Sequence, residues 1–195
     1  MGIKNKDKII IYDNSDVISS CRCWYNFIYF GHSPDLVHVL DGGLKKWIIE
    51  NKPTTNNLTR IIRSDYKASE KKELVKNKLE IDENINSKKF IVVDARSIER
   101  FEGKVAEPRK GLKSGSIKNS FCLPFSDLIN DDGTFVNKNI IAEKFNSIKS
   151  DLNKNLIFSC GSGVTASVLA LAYSLIDNKY KPTIYDGSWS EYGKF

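Results

Sequence analysis

The sequence predicts an α/β protein in which a parallel β-sheet is flanked by helices. Two observations predict this fold class: apolar strands alternate with helical runs, and the two ends of the chain resemble each other. The 195 residues are enough to bury a core, and 41% hydrophobic and 28% charged residues are ordinary values for a globular protein. We therefore expect a tandem repeat of one α/β unit, with the first copy incomplete.

The repeat lies in the first and last fifty residues. Each stretch runs through an apolar strand, a short polar loop, an apolar helix, a second strand and an Asp-Gly pair followed by an aromatic residue. The Asp-Gly pairs are Asp41-Gly42 and Asp186-Gly187, and the copies differ by a two-residue indel. Internal similarity of this kind indicates two copies of one supersecondary unit.

The elements follow in order along the chain. The first copy, residues 1–50, has a strand in "KIIIYD" and a helix in "SSCRCWYNFIYF"; residues 51–63 are polar and read as a linker. Residues 64–195 form the second copy, which opens with a helix in "SEKKELVKNKLEI", N-capped by Ser69. The strand "KKFIVVDAR", a helix near "NIIAEKFNSIKSDL", the strand "NLIF" and the buried helix "VTASVLALAYSLI" complete it.

The copies differ at the loop after the strand. Asp13 stands where the second copy has Cys160, and the first copy lacks the glycines Gly161 and Gly163. A carboxylate is not a soft nucleophile, so we interpret the first copy as structural and the second as the candidate active unit. The first copy is also shorter before its loop, which predicts exposed strand edges.

The Cys160 loop has the composition of an anion site. It joins the C-terminal end of a parallel strand to the N-terminus of a helix, the edge at which ligand sites of open α/β sheets collect. We expect the small residues to let backbone N–H groups turn inward, where together with the helix dipole they favour the thiolate, the nucleophilic form of the cysteine. The donors are those of Gly161, Ser162, Gly163 and Val164.

Three other motifs fit this stretch in part. Gly161, Gly163 and Ala166 match the spacing of a dinucleotide-binding loop, but the nine residues after Asp186 leave no room for the later strands of that fold. A phosphate-binding P-loop needs a lysine that is not present. A cysteine phosphatase loop needs an arginine six positions after the cysteine, where Ala166 stands.

Composition argues against several other functions. No apolar stretch approaches the roughly 20 residues of a membrane helix, and the N-terminal sequence lacks a secretory signal, so we expect a cytoplasmic protein without disulfides. The net charge of +6 comes from scattered lysines without interleaved aromatic residues, which does not favour nucleic-acid binding. Cys21 and Cys23 are too close for a structural zinc site, and we expect both, with Cys122, to be buried.

The motifs "CGSGVTAS" and "YDGSWSEYG" together resemble the C-terminal half of the two-domain rhodanese-like sulfurtransferases, specifically the 3-mercaptopyruvate sulfurtransferases. "DARSIERFEGKVAEPRKGLKSGSI" is similar to the segment that opens the active domain of that family. The chain up to "VLDGGLKKW" is similar to the back half of the family's inactive N-terminal domain. The resemblance covers nearly the whole chain and implies a rhodanese-like fold.

The resemblance implies a sulfur relay without cofactor or metal. The Cys160 thiolate takes sulfur from 3-mercaptopyruvate as a persulfide, and the sulfur passes to a thiol such as thioredoxin, or to cyanide. Ser162 matches a serine that assists proton movement, and we expect Thr165 to donate to the sulfur, to cap the helix, or to do both. Arg100 and Arg109 match arginines that grip the substrate carboxylate; the alternative is a surface ion pair with Glu99 or Glu107. A loop without basic residues favours mercaptopyruvate over thiosulfate.

The sequence also departs from the family pattern. Ser116 replaces a usual histidine, and the segment that supplies an acid and a histidine to the active site is absent, since His32 and His38 lie elsewhere in the repeat. Two alternatives therefore stay open: a non-catalytic persulfide carrier, and an inactive truncated remnant.

Overall fold

A computed structural model describes residues 2–148 and 154–195. We call residues 1–50 the first unit and residues 64–195 the second unit. A five-stranded parallel sheet with the order β3-β7-β6-β4-β5 lies in the second unit, and a two-stranded parallel sheet, β1-β2, lies in the first. The helices and strands are β1 (Ile9–Ile11), α1 (Ser20–Tyr29), β2 (Val37–Val39), α2 (Gly43–Ile49), β3 (Val75–Lys76), α3 (Lys78–Ser87), β4 (Ile91–Asp94), α4 (Ile98–Phe101), β5 (Phe121–Cys122), α5 (Lys138–Ile148), β6 (Leu156–Ser159), α6 (Ala166–Ser174), β7 (Ile184–Tyr185) and α7 (Ser188–Tyr192).

The central strands β4 and β6 explain the parallel architecture. Every residue of Ile91–Asp94 and of Leu156–Ser159 is buried, as expected for strands that have helices on both faces of the sheet. The strands predicted in "KKFIVVDAR" and "NLIF" are therefore confirmed, and so is the α/β fold class. The predicted helix "NIIAEKFNSIKSDL" is observed as Lys138–Ile148, and its last residues, 149–152, lie outside the described residues.

The predicted start of the helix at Ser69 is wrong. Helix α3 begins at Lys78, because Asn77 forms a capping box: its side chain accepts from the Glu80 N–H (3.0 Å), and the Glu80 carboxylate accepts from the Asn77 N–H (2.9 Å). The preceding Val75–Lys76 pairs with β7 as an edge strand. The Ser69 N–H instead donates to the carbonyl of Phe30 at the end of α1, at 3.0 Å.

The two units share one hydrophobic core. Helix α1 of the first unit packs against α6 of the second, the helix that follows the Cys160 loop. The main buried cluster contains residues of both units, among them Ile9, Trp24, Ile28, Val37, Leu74, Val93, Phe145, Phe158 and Leu169. This packing brings α1 beside the loop that carries the candidate nucleophile. Over the described parts of the chain, no helix has both the length and the apolar character needed to cross a membrane.

Candidate functional site around Cys160

Cys160 directly follows strand β6 and is 1% exposed. Its Sγ accepts hydrogen bonds from the backbone N–H groups of Gly163 (3.1 Å) and Ser162 (3.4 Å). Two of the four donors expected from the sequence therefore contact the sulfur. Backbone donors at a buried sulfur atom replace part of the solvation that a charged sulfur species would lose there.

The carbonyl groups of the loop face away from the sulfur. The N–H of Trp189 donates to the Cys160 carbonyl and the N–H of Ser190 to the Gly161 carbonyl, both at 2.9 Å. A trans peptide directs its C=O and N–H to opposite sides, and no described peptide bond is cis. Helix α7 therefore holds the first peptides of the loop so that their N–H groups turn toward the interior of the loop.

Gly163 occupies a position that favours glycine. Its φ is +80°, and a Cβ atom there would lie 2.7 Å from Arg22 Nη1 and 2.8 Å from Asp186 Oδ1. Arg22 comes from α1, forms an ion pair with Asp186 and donates to the Gly163 carbonyl at 3.4 Å. The first unit is thus in direct contact with the back of the Cys160 loop.

A cavity of about 340 Å³ opens beside Cys160. Seven of the eight residues singled out from the sequence line it, and the eighth, Gly163, contacts the sulfur through its N–H without lining the cavity. The remaining lining residues include Val17 of the first unit, whose side chain stands at this cavity and is 42% exposed. The seven are Arg100, Arg109, Cys160, Gly161, Ser162, Val164 and Thr165.

Arg100 is both a lining residue and a member of a buried ion-pair network. Its guanidinium donates to the Glu107 carboxylate at 2.6 and 3.2 Å, and Glu107 also accepts from Arg96 at 2.7 Å. Arg96 is fully buried and paired with Asp94, so the network holds two positive and two negative groups. The ion pair with Glu107 that the sequence offered as an alternative is therefore present, on a residue that also faces the cavity.

The charge of Glu107 is stabilised inside this network. Burial raises the pKa of its carboxyl, but the hydrogen bond and charge of Arg100, and then those of Arg96, outweigh burial and lower the pKa below its ordinary value. The Arg96 guanidinium in turn lies over the ring of Trp189 at 4.6 Å. Since Trp189 anchors the Cys160 carbonyl, the network connects Arg100 to the loop.

Arg109 is exposed and donates to the Gly161 carbonyl at 3.4 Å. Within residues 2–148 and 154–195 no carboxylate lies within ion-pair distance of it, unlike Arg100. The predicted capping role of Thr165 is wrong, because its side chain makes no capping hydrogen bond to α6. The histidines His32 and His38 are absent from the cavity lining, and His32 is buried against Tyr66 and the Asp7 carbonyl instead.

Ser188 is a residue that the sequence did not reveal. Its hydroxyl accepts from the Cys160 N–H (3.2 Å) and donates to the Tyr185 carbonyl (2.8 Å), although its φ of +49° is unfavourable for a residue with a side chain. Arg22 and Arg96 were missed as well. Their ion-pair partners, Asp186 and Asp94, lie at the C-terminal ends of strands β7 and β4, at the same edge of the sheet as the Cys160 loop. Carboxylates at this edge are the signal in the sequence that could have pointed to these two arginines.

The other three cysteines differ from Cys160. Cys21 is buried, as predicted, whereas Cys23 is exposed and Cys122 half-buried, so the prediction that both belong to the core is wrong. Cys23 points to solvent because it lies on the face of α1 opposite the shared core. Burial raises the pKa of all three thiols, that of Cys122 to about 12. The thiol form predominates in each at neutral pH.

Comparisons with known proteins agree with this fold. The family model described as "Rhodanese-like domain" matches residues 1–50 and 77–194. The human 3-mercaptopyruvate sulfurtransferase is 37% identical over 194 residues, which are 98% of this chain and 64% of the human one. The bovine thiosulfate sulfurtransferase is 37% identical over 195 residues, 98% of this chain and 65% of the bovine one. The chain thus spans slightly less than two thirds of these relatives.

Solved structures give the same result. The crystal structure of the Tum1 protein from Saccharomyces cerevisiae superimposes with a TM-score of 0.83 at 27% identity, covering 98% of this chain and 67% of that one. SseA from Escherichia coli, described with the "Rhodanese" fold and the catalytic mechanism of 3-mercaptopyruvate sulfotransferases, superimposes with a TM-score of 0.81 at 27% identity. The superposition covers 97% of this chain and 70% of the SseA chain.

Proposed function

This chain belongs to the rhodanese-like family, and from that premise we propose that it transfers sulfane sulfur through a persulfide on Cys160. The observation that carries the proposal is a buried sulfur atom with two backbone N–H donors, next to a cavity that holds two guanidinium groups. This combination suits a small anionic sulfur donor and a covalent intermediate that is itself an anion. The relatives named as sulfurtransferases support it.

The first step is attack by the Cys160 thiolate on the sulfur of 3-mercaptopyruvate. A sulfur–sulfur bond forms and the carbon–sulfur bond breaks, and its electron pair stays on the carbon as the enolate of pyruvate. The carbon takes up one proton and the donor's thiol loses one, so the products are pyruvate and a Cys160 persulfide anion. Ser162 stands at the sulfur and is our candidate for carrying that proton; its N–H, with that of Gly163, holds the Cys160 sulfur.

The second step regenerates the thiolate. An acceptor thiol gives up its proton and attacks the outer sulfur, the sulfur–sulfur bond to Cys160 breaks, and the acceptor leaves as its own persulfide. Thioredoxin is a thiol protein of the right chemistry, and cyanide would leave as thiocyanate. The open mouth of the cavity beside Val17 offers a route for the acceptor to reach the sulfur.

The donor we favour is a monocarboxylate. Glu107 neutralises Arg100, which leaves Arg109 as the guanidinium without a carboxylate partner among the described residues that line the cavity. The loop adds only the neutral Gly161 and Ser162. A site with this charge balance suits the single negative charge of 3-mercaptopyruvate better than the double charge of thiosulfate, which we keep as the second donor.

We propose in addition that the two ends are copies of one unit, of which only the second is active. The first unit then serves as a structural partner that covers α6 and the back of the Cys160 loop. A cytoplasmic location remains our expectation from the sequence.

The test combines turnover with mass spectrometry. Incubation with 3-mercaptopyruvate and a thiol should release pyruvate, and without the thiol Cys160 should gain the mass of one sulfur atom. Cys160→Ser should lower the rate by at least about 1,000-fold, as removal of a covalent nucleophile does. Cys23→Ser and Cys122→Ser are matched controls that should retain the rate.

Two outcomes would contradict the proposal or change it. Absence of both pyruvate and the sulfur adduct would overturn the enzymatic function. If a protein persulfide loads Cys160 while 3-mercaptopyruvate does not, the chain is a persulfide carrier rather than an enzyme.

The single variant Asp13→Cys should acquire no sulfur at residue 13, because the first unit's loop lacks the glycines.

A further inference from the structure

We propose that Arg22, supplied by α1 of the first unit, is a positioning residue for the persulfide. It holds the peptide between Gly163 and Val164 so that the Val164 N–H is directed to the outer sulfur. This inference rests on the proposed function, since it concerns the intermediate of that reaction, but the experiment below separates the two.

The orientation of this peptide follows from its carbonyl. The Gly163 carbonyl accepts from Arg22 Nη1 at 3.4 Å and from the Ser167 hydroxyl at 3.0 Å. Neither donor residue lines the Cys160 cavity, and they come from α1 and α6, two helices that pack against each other. Because a trans peptide has its N–H opposite its C=O, the Val164 N–H turns toward the cavity that Val164 lines.

The Val164 N–H is also unoccupied. Among the described residues, no group accepts a hydrogen bond from it, whereas the N–H groups of Ser162 and Gly163 already contact the Cys160 sulfur. A persulfide adds a second sulfur atom that carries most of the negative charge. That atom needs a donor of its own, and an N–H already fixed in direction stabilises it without reorganisation.

Arg22 is itself held in place by two side chains, and it is largely shielded from solvent. It forms the ion pair with Asp186, lies 5.5 Å from the centre of the Tyr25 ring and is only 26% exposed. Its Nη1 reaches both the Asp186 carboxylate and the Gly163 carbonyl, and Gly163 has no side chain that would prevent this approach. Asp186 therefore orients Arg22, and Arg22 orients the peptide.

This arrangement gives the first unit a part in the chemistry of the second. The Asp13 loop carries no nucleophile, yet the helix that follows it provides a cation behind the Cys160 loop. Without that cation, the Gly163 carbonyl keeps only the Ser167 hydroxyl, and the peptide is free to rotate away from the orientation that the persulfide requires.

The experiment measures how stable the Cys160 persulfide is in Arg22 variants. The protein is equilibrated with mixtures of glutathione and glutathione persulfide, which exchange one sulfur atom with Cys160, and the loaded fraction is read by mass spectrometry. Arg22→Met should shift the exchange equilibrium about tenfold toward the free thiol, the size expected for one hydrogen bond to a charged group. In turnover, the same variant should lower kcat with little change in KM for the donor.

Controls separate positioning from a general structural role. Asp186→Asn removes the charge of the ion pair but keeps an amide oxygen that can accept from Arg22, so Arg22 stays partly oriented and the shift should be clearly smaller. Arg22→Lys keeps the charge without the guanidinium geometry and should fall between wild type and Arg22→Met. Added ethylguanidinium should restore loading in Arg22→Ala. Circular dichroism and the thermal midpoint verify that each variant folds.

The outcomes are distinct. An unchanged exchange equilibrium in both Arg22→Met and Arg22→Lys overturns the inference, and so does an equal shift in Asp186→Asn without rescue by ethylguanidinium. If wild type exchanges sulfur and Arg22→Met shifts the equilibrium, but 3-mercaptopyruvate gives no pyruvate, the inference stands and the enzymatic function fails. If wild type takes up no sulfur at all, both are overturned.

Discussion

Cys160 follows β6 and Asp13 follows β1, and the backbone of each is anchored in the same way. The Leu44 N–H donates to the Asp13 carbonyl and the Trp189 N–H to the Cys160 carbonyl, both at 2.9 Å. The side chains differ. Asp13 accepts from the Ser19 hydroxyl (2.7 Å) and the Ser20 N–H (3.1 Å) at the start of α1. In the first unit, the chain's own carboxylate therefore fills the place at which the second unit presents a sulfur atom.

The cavities beside the two loops differ in volume and in the charge of their lining residues. The cavity at Cys160 has a volume of about 340 Å³ and contains Arg100 and Arg109, whereas the one at Asp13 has about 180 Å³. The smaller cavity is lined by five carboxylates, those of Asp13, Asp16, Asp41, Asp131 and Asp132. The smaller cavity also has one cation, Lys45, and the larger one has one carboxylate, Glu107, so carboxylates predominate in the first and cations in the second. Anchoring alone does not make a sulfur site; the free N–H groups and the charge balance of the cavity distinguish the two loops.

The largest effect that tests this difference is expected at Glu107. Its replacement by glutamine removes the shared partner of Arg96 and Arg100 and should lower the free energy of unfolding by about 3–5 kcal/mol at neutral pH. The folded-state pKa of Glu107 is depressed, so its stabilisation is fully present above the ordinary glutamate pKa of about 4 and is lost as the pH falls from there through the lower folded-state pKa. The gap between wild type and Glu107→Gln should therefore narrow below about pH 4.

Urea titrations at several pH values measure this gap. Glu99→Gln is the matched control, because Glu99 lies next to Arg100 in helix α4 but is exposed, and it should leave the unfolding curve nearly unchanged. Equal stability of Glu107→Gln and wild type at neutral pH would mean that the buried network does not hold Arg100 at the cavity.

A smaller effect is expected at Gly163, the glycine that the Asp13 loop lacks. Gly163→Ala combines an unfavourable positive φ with a Cβ atom too close to Arg22 and Asp186, and should destabilise the protein by about 2–3 kcal/mol. Gly111→Ala is the matched control, because Gly111 has the same φ of +80° with no atom within 4 Å. It should cost only about 1 kcal/mol.

The comparison of the two alanine variants isolates the contact with Arg22 from the backbone strain. Thermal or urea unfolding gives the stabilities, and sulfur loading of Cys160 should fall only in Gly163→Ala. Identical losses of stability, with loading intact in both, would show that Arg22 and Asp186 do not confine the loop.

Much of this contrast could be predicted from residue types and spacing. The apolar runs before Cys160 and in "FIVVD" predict the central strands, because a short run of consecutive apolar residues is typical of a strand buried on both faces. The small residues after Cys160 predict inward N–H groups. The structure adds that α7 and Arg22 hold the carbonyls. These contacts join residues far apart in sequence, and the sequence shows no periodicity that marks them.

The failures also have physical reasons. Ser69 has the residue type of an N-cap, but its backbone pairs with the end of α1, and the capping box of Asn77 and Glu80 places the helix start eight residues later. Strand β3 has only two residues, too few for an alternating pattern. Arg96 is charged and fully buried, and only the fold reveals that Asp94 and Glu107 compensate it.

The smallest effect is expected at Ser188, which corresponds to Gly43 of the first unit. Both residues have positive φ, +49° and +58°, but only Ser188 has a hydroxyl that accepts from the Cys160 N–H. Ser188→Gly loses this hydrogen bond and gains relief from backbone strain, so the net loss should be about 0.5–1 kcal/mol. Ser188→Ala loses the hydrogen bond and keeps the strain, so unfolding measurements should find it about 1 kcal/mol less stable than Ser188→Gly. If Ser188→Ala were the more stable of the two, strain at the positive φ would not explain the difference between the variants. The presence of serine in the second unit, where the first has glycine, would then need another explanation.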